Sequence, residues 1–180
     1  MTNILIFYRW YIMDENKYSI LKEEIDQYLL DNYVKVDFIL REYYPTSTRH
    51  DKNKIEKSSS FNNSKVETIK LLPSFQQVLF NFIDSKGLDD VEVYKKSDID
   101  RKLFSKIRSN EYYNPRKSTV IRFIFGLELN LYEANKLLAS AGYSLSHSIK
   151  KDVIIEYFII HKMYDIYELY EMLYSYNEEL

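Results

Sequence analysis

The sequence predicts a mainly α-helical protein with a small N-terminal α/β module, and three observations lead there. Before residue 72, two short stretches read as strands, with a stretch of three-and-four apolar spacing between them. From Pro73 onward the three-and-four spacing persists to the C-terminus. Between these regions lies a polar run, PTSTRHDKNKIEKSSSFNNSK, which cannot bury enough surface to offset its ordering entropy. The expected organisation is therefore a βαβ-like module over 1–72, with a linker or mobile loop at 45–65, and a helical part over 73–180.

Residues 4–13 are rich in β-branched and aromatic side chains, which fits a buried strand or a short helix. In residues 15–33, Tyr18, Leu21, Ile25, Tyr28 and Leu29 fall three or four apart, with Lys22, Glu23, Glu24 and Asp26 between them, so an amphipathic helix is expected. Val34, Val36, Phe38 and Leu40 then alternate as in a strand, and strand–helix–strand implies a right-handed crossover. Residues 66–72 can add one more strand. Beyond Pro73, Phe75, Val78, Leu79, Phe82 and Ile83 line one helix that Gly87 can end in a left-handed cap. Three short helices follow in residues 91–130, then one over 132–141 closed by Gly142. Ser148 is placed to cap a helix over 149–162, and a last helix spans 164–176.

The chain has 180 residues, enough for one ordinary domain or two small ones, and 46% hydrophobic residues can build a core. It has no cysteine, so disulfides, thiolate zinc sites and a cysteine nucleophile are excluded, and a reducing cytoplasm is the expected compartment. The apolar run at the start is broken by Arg9 and followed by Asp14 and Glu15; it is too short for a membrane span and lacks the pattern of a cleaved signal. The 18 tyrosines accompany abundant Phe, Ile, Lys and Asn, all with AT-rich codons, which points to coding bias and core packing rather than a stacking platform. His50, His147 and His161 show no metal-ligand spacing. Glu23-Glu24 and Glu178-Glu179 read as solvated pairs, and Gly87, Gly126 and Gly142 form no phosphate loop. No enzyme, cofactor or metal is expected.

Charge is the feature that points to a function. Between Arg101 and Arg122 stand seven cations (Arg101, Lys102, Lys106, Arg108, Arg116, Lys117, Arg122) against one acid, Glu111. Without that window, the totals of 25 basic and 27 acidic residues fall to 18 and 26, a balance of −8. A basic island in an acidic chain suits a phosphate-bearing partner. Residues 100–110 form the candidate recognition helix. Asp100 can cap it, while Leu103, Phe104 and Ile107 anchor one face. Arg101, Lys102, Ser105, Lys106, Arg108 and Ser109 are left to point outward. Residues 91–97 make a short preceding helix, with Asp98-Ile99 as the turn. Pro115, Arg116 and Lys117 open the next helix, where side chains and free N–H groups can hold a backbone phosphate.

These residues resemble the helix-turn-helix family of Cro and λ repressor type, often called the XRE family. The family's motif slots hold Tyr94, Asp98, Ile99, Phe104-Ser105-Lys106-Ile107, Asn110, Pro115, Leu127 and Leu129 here. Two features depart from its habit: Tyr94 replaces a small residue, and Asp98 and Asp100 place negative charge beside the basic helix. The resemblance covers Phe75 to about Gly142. It implies a five-helix DNA-binding fold, here followed by two extra helices, with base reading by Arg101, Lys102 and Lys106 and phosphate contacts by Arg116 and Lys117. Sequence-specific binding of double-stranded DNA in transcription regulation is the function implied, in a protein of bacterial or phage origin.

The run from FSKIRSN to AGYSLSHSIKKDVIIEYFI also resembles a C-terminal segment of assorted uncharacterised bacterial and phage proteins. This keeps a second reading open: a protein-binding effector of a mobile element, such as an anti-CRISPR-like counter-defence inhibitor, an antitoxin or an abortive-infection factor. Finally, the run VIIEYFII is apolar nearly all round. Part of that surface is expected to pack on a second copy, giving a homodimer whose recognition helices would lie about 34 Å apart.

Overall fold

A Ser74 side chain that accepts from the Gln77 N–H, and a Gln77 side chain that bonds back to the Ser74 N–H, start the first of seven consecutive helices. The computed structural model describes residues 15–33 and 73–180. In chain order its helices are α1 (Glu15–Asn32), α2 (Phe75–Lys86), α3 (Asp90–Lys96), α4 (Arg101–Ser109), α5 (Lys117–Gly126), α6 (Leu131–Ser140), α7 (Lys150–Ile160) and α8 (Ile166–Ser175). No strand occurs among the described residues. The helical expectation from Pro73 onward therefore holds. The strands expected at 4–13, 34–44 and 66–72, and the linker at 45–65, lie outside the described residues.

The α/β module is not supported by its one described part. The apolar face of α1 buries Leu21 and Ile25 in the same core as the C-terminal helices, against α7. The helix assigned to a separate module thus belongs to the helical body. Its docking is also markedly polar. The Tyr157 hydroxyl donates to Glu24 at 2.8 Å, the Tyr176 hydroxyl donates to Asp26 at 2.7 Å, and Lys17 pairs with Glu168 at 3.1 Å. Burial, and then the bond to Glu24, pushes the Tyr157 phenol up to about 12; burial and Asp26 likewise raise Tyr176. Each phenol is held neutral in the fold. This stabilisation is present in full below the ordinary value of about 10 and is lost as pH rises through about 12. Phenolate absorbance is therefore expected to rise late, together with release of α1, and Tyr157→Phe should remove part of the late phase. Tyrosines that all titrate together near 10 would refute this.

The core centres on α5, whose Val120, Ile121, Phe123, Ile124 and Phe125 are all buried, and which packs against α3, α6 and α8. An aromatic chain links the helices, running from Phe75 to Phe123 and Phe104, then to Phe80 and Tyr94. Around α7, residues Val153, Ile154, Ile155, Tyr157, Phe158 and Ile159 are buried, and the helix packs against α1, α6 and α8. Most of the apolar girdle expected to need a second copy is covered within the chain, with Ile160 exposed at its end. That weakens the ground on which a dimer through α7 was expected.

Six helices end alike. The second or third residue after each helix donates its N–H five residues back: Leu88 to Ile83, Ile99 to Tyr94, Leu129 to Ile124, Tyr143 to Leu138, Met163 to Phe158 and Glu178 to Leu173. The residue before each donor is left-handed. Glycine fills that place at Gly87 and Gly142, as expected, but Asp98, Glu128, Lys162 and Asn177 adopt φ of 50–56° without it. The start of α7 differs from expectation. Ser148 does not cap it; Ile149 occupies the cap without a side-chain bond, and Asp152 reaches back to the Ser146 N–H at 3.0 Å.

Candidate nucleic-acid interface

Helices α3 and α4 are joined by the turn 97–100, and three local choices set its course. Asp98 takes the left-handed conformation at φ 50°, which aspartate tolerates better than most residues. Ile99 then points inward and is buried. Asp100 caps α4 by accepting from the Lys102 N–H at 3.1 Å. On the far side, Gln76 of α2 donates to the carbonyls of Ile107 and Arg108, satisfying two acceptors at the end of α4. Gln77 bonds Glu111 at 2.6 Å, which turns the one acid of the basic window toward α2.

Phe104 and Ile107 are buried and Leu103 partly so, which fixes the inward face of α4. Around the rest of the helix, at 3.6 residues per turn, the order is Arg108, Arg101, Ser105, Ser109, Lys102, Lys106, covering about 160° of circumference. All six are exposed. Two small hydroxyl residues run along the middle of this arc, with two cations on either flank and no apolar side chain among them. Lys106 lies over the Tyr113 ring, 5.1 Å from its centroid, and Arg108 lies 4.7 Å over Phe80. Both cations are thereby steadied against α4's own scaffold.

The seven cations of the window are not equivalent. Arg101, Lys102 and Arg116 are exposed and make no ion pair among the described residues. Arg108 is shared, pairing with Asp90 at 2.9 Å. Lys117 is committed elsewhere. Its Nζ lies 2.7 and 2.6 Å from the two carboxylate oxygens of Asp152, which is completely buried. An ammonium so placed is a structural tether between the start of α5 and α7. Its expected phosphate contact is corrected accordingly. Arg122 donates to the Asp98 carbonyl at 2.9 Å and lies 3.5 Å from its carboxylate.

Tyr94, where the family has a small residue, is half-buried against Phe104, and the close helix approach falls one turn later, between Ser97 at the end of α3 and Gly126 of α5. Sequence reasoning missed Gln76, Asp90 and Asp152, whose partners are 18 to 35 residues away in the chain. Only Gln76 left a trace, as a polar residue beside the buried Phe75. The two described histidines make local contacts: His147 pairs with Glu156 at 2.7 Å, and His161 stacks on Tyr157. No helix among the described residues is long and apolar enough to cross a membrane. No protein-family model, curated protein or solved structure matches this chain.

Proposed function

We propose that the chain is a non-enzymatic, sequence-specific binder of double-stranded DNA that lays α4 in the major groove and acts as a cytoplasmic transcription regulator. The observation that carries this reading is the arc of α4. A central line of Ser105 and Ser109, bordered by Arg101, lets the helix approach base edges closely, while Arg108 on one flank and Lys102 and Lys106 on the other face the two phosphate rims. Arg116, exposed at the cap of α5, extends the positive surface. The aspartates that would repel DNA are engaged internally: Asp98 with Arg122, Asp90 with Arg108, and Asp100 on the helix N-terminus. The order of α2 to α6 fits the resemblance to the XRE family, with α7 and α8 as additions.

A salt titration on preferred and random duplexes tests the reading. Arg116→Ala and Lys106→Ala are each expected to weaken binding to every duplex and to lower the salt slope by about one unit. Arg101→Ala should cost about 1–3 kcal/mol on the preferred site and little on random DNA. Binding left unchanged by all three would remove α4 as the DNA surface. A second reading, protein binding by a mobile-element effector, rests on large exposed aromatics elsewhere, Tyr132 and Tyr174, since such side chains anchor protein interfaces. A partner whose affinity falls with Tyr174→Ala but not with Arg116→Ala would favour it.

A further inference from the structure

We infer that α8 braces the DNA-reading unit, with Tyr170 and Arg122 acting as positioning residues that hold the left-handed turn at Asp98 and thereby set the pose of α4. The inference rests on the proposed DNA reading for its consequence, although the brace itself can be observed without DNA.

The turn needs support. A left-handed aspartate is tolerated but still costs free energy relative to glycine. Of the six similar helix ends, this one alone leads directly into the candidate recognition helix. Arg122 of α5 meets Asp98 twice, at its carbonyl (2.9 Å) and its carboxylate (3.5 Å). Tyr170 of α8 completes the arrangement, with its ring centroid 5.7 Å from the Arg122 guanidinium and its hydroxyl 3.5 Å from the same carboxylate. Burial holds the Tyr170 phenol up at about 12, against the pull of Arg122 and with Asp98 adding to the rise. It is therefore a neutral donor at working pH. Arg122 sits between an acid on its own fold and a ring from outside the five-helix unit. Its charge belongs to the basic window in sequence, but its donors are turned toward the turn rather than outward. The extra C-terminal helices are on this view part of the reading apparatus.

Two readouts on the full chain test the brace. The first is hydrogen exchange at the Ile99 N–H, which bonds Tyr94 beside the brace, with the Tyr143 N–H as control because it closes α6 by the same bond to Leu138. The second is the salt dependence of binding to a random duplex. Arg122→Gln and Tyr170→Leu are each expected to speed exchange at Ile99 about tenfold and leave Tyr143 unchanged. They should also weaken DNA binding several-fold with the salt slope unchanged, since no phosphate contact is lost. Tyr170→Phe, which keeps the ring, should have a smaller effect of the same kind. Adding Asp98→Gly to Arg122→Gln should return Ile99 to slow exchange, because glycine takes the left-handed conformation freely. Unchanged exchange at Ile99, or equal acceleration at Tyr143, overturns the brace. A slope lowered by about one in Arg122→Gln with Ile99 unmoved makes Arg122 a phosphate contact and also overturns it. If Ile99 responds as expected but the wild-type chain binds no duplex at any salt, the brace stands and the DNA reading falls.

Discussion

Replacing Gly126 by alanine is expected to lower the urea midpoint of unfolding more than any other single-methyl addition to the helical body. Gly126 lies in the last turn of α5 with no left-handed backbone to accommodate, so its role is space alone. A Cβ there would sit 2.0 Å from Ser97 Oγ, 2.7 Å from Ser97 N and 2.8 Å from Ser97 Cα. The hydroxyl could rotate away, but the backbone atoms could not. Relief requires α3 and α5 to separate, carrying the Asp98 turn and α4 with them. Overpacking at a site that cannot yield costs about 3 kcal/mol, the upper part of the usual range, and that is a large share of a domain's stability. Adding Ser97→Gly should restore only part of the loss, since the backbone contacts persist. Ser97→Ala alone should be neutral or stabilising, because the buried Ser97 hydroxyl has no hydrogen-bond partner among the described residues. A Gly126→Ala chain with an unchanged midpoint would contradict the close approach of these helices.

Lys117→Ala should come next in size, and for an electrostatic reason. Asp152 is fully buried, and among the described residues its carboxylate has only Lys117 and the Ser146 N–H as partners. Removing the ammonium leaves the buried carboxylate without its counter-charge. Breaking a buried pair from one side costs about 3–5 kcal/mol. The lower end is expected here, because the Lys117 side chain is 23% exposed and solvent can enter in its place. Removing both partners, as in Lys117→Met with Asp152→Leu, should cost less than Lys117→Ala alone, since no orphaned charge remains. Arg116→Ala, one residue earlier, offers the contrast: almost no change in midpoint, with its effect appearing in DNA affinity. Chemical denaturation of the three variants separates the two roles. A Lys117→Ala midpoint equal to that of wild type would return Lys117 to the list of candidate phosphate contacts.

Several parts of this architecture were legible from residue order. The spacing of Phe75, Val78, Leu79 and Ile83 identified α2, and Gly87 marked its end. Asp100 identified the start of α4, and Phe104 and Ile107 its inward face. These features are written within four or five residues of chain, the reach of a helical hydrogen bond or a cap. Other helix ends were harder to see. Glu128, Lys162 and Asn177 turn left-handed with no glycine to announce it, and the N–H that follows each turn bonds back into the helix to hold the conformation. The start of α7 was misassigned for a related reason. Ser148 had the right chemistry, but the helix begins one residue later with Ile149 at the cap, and the Asp152 carboxylate, held by Lys117 from another helix, ties down the Ser146 N–H of the preceding turn.

The order of residues by itself determined that the body after Pro73 is helical, where α4 lies, and which of its faces is basic, since periodicity and local charge need no distant partner. Which cations remain free was decided only by the tertiary structure. Arg108 met Asp90, Lys117 met Asp152 and Arg122 met Asp98 through space, and no local rule couples residues so far apart. The cover of α7 was decided the same way. An apolar girdle shows that burial is required but not by what, and it was the folding of α1 and α8 onto α7 that met the demand within one chain.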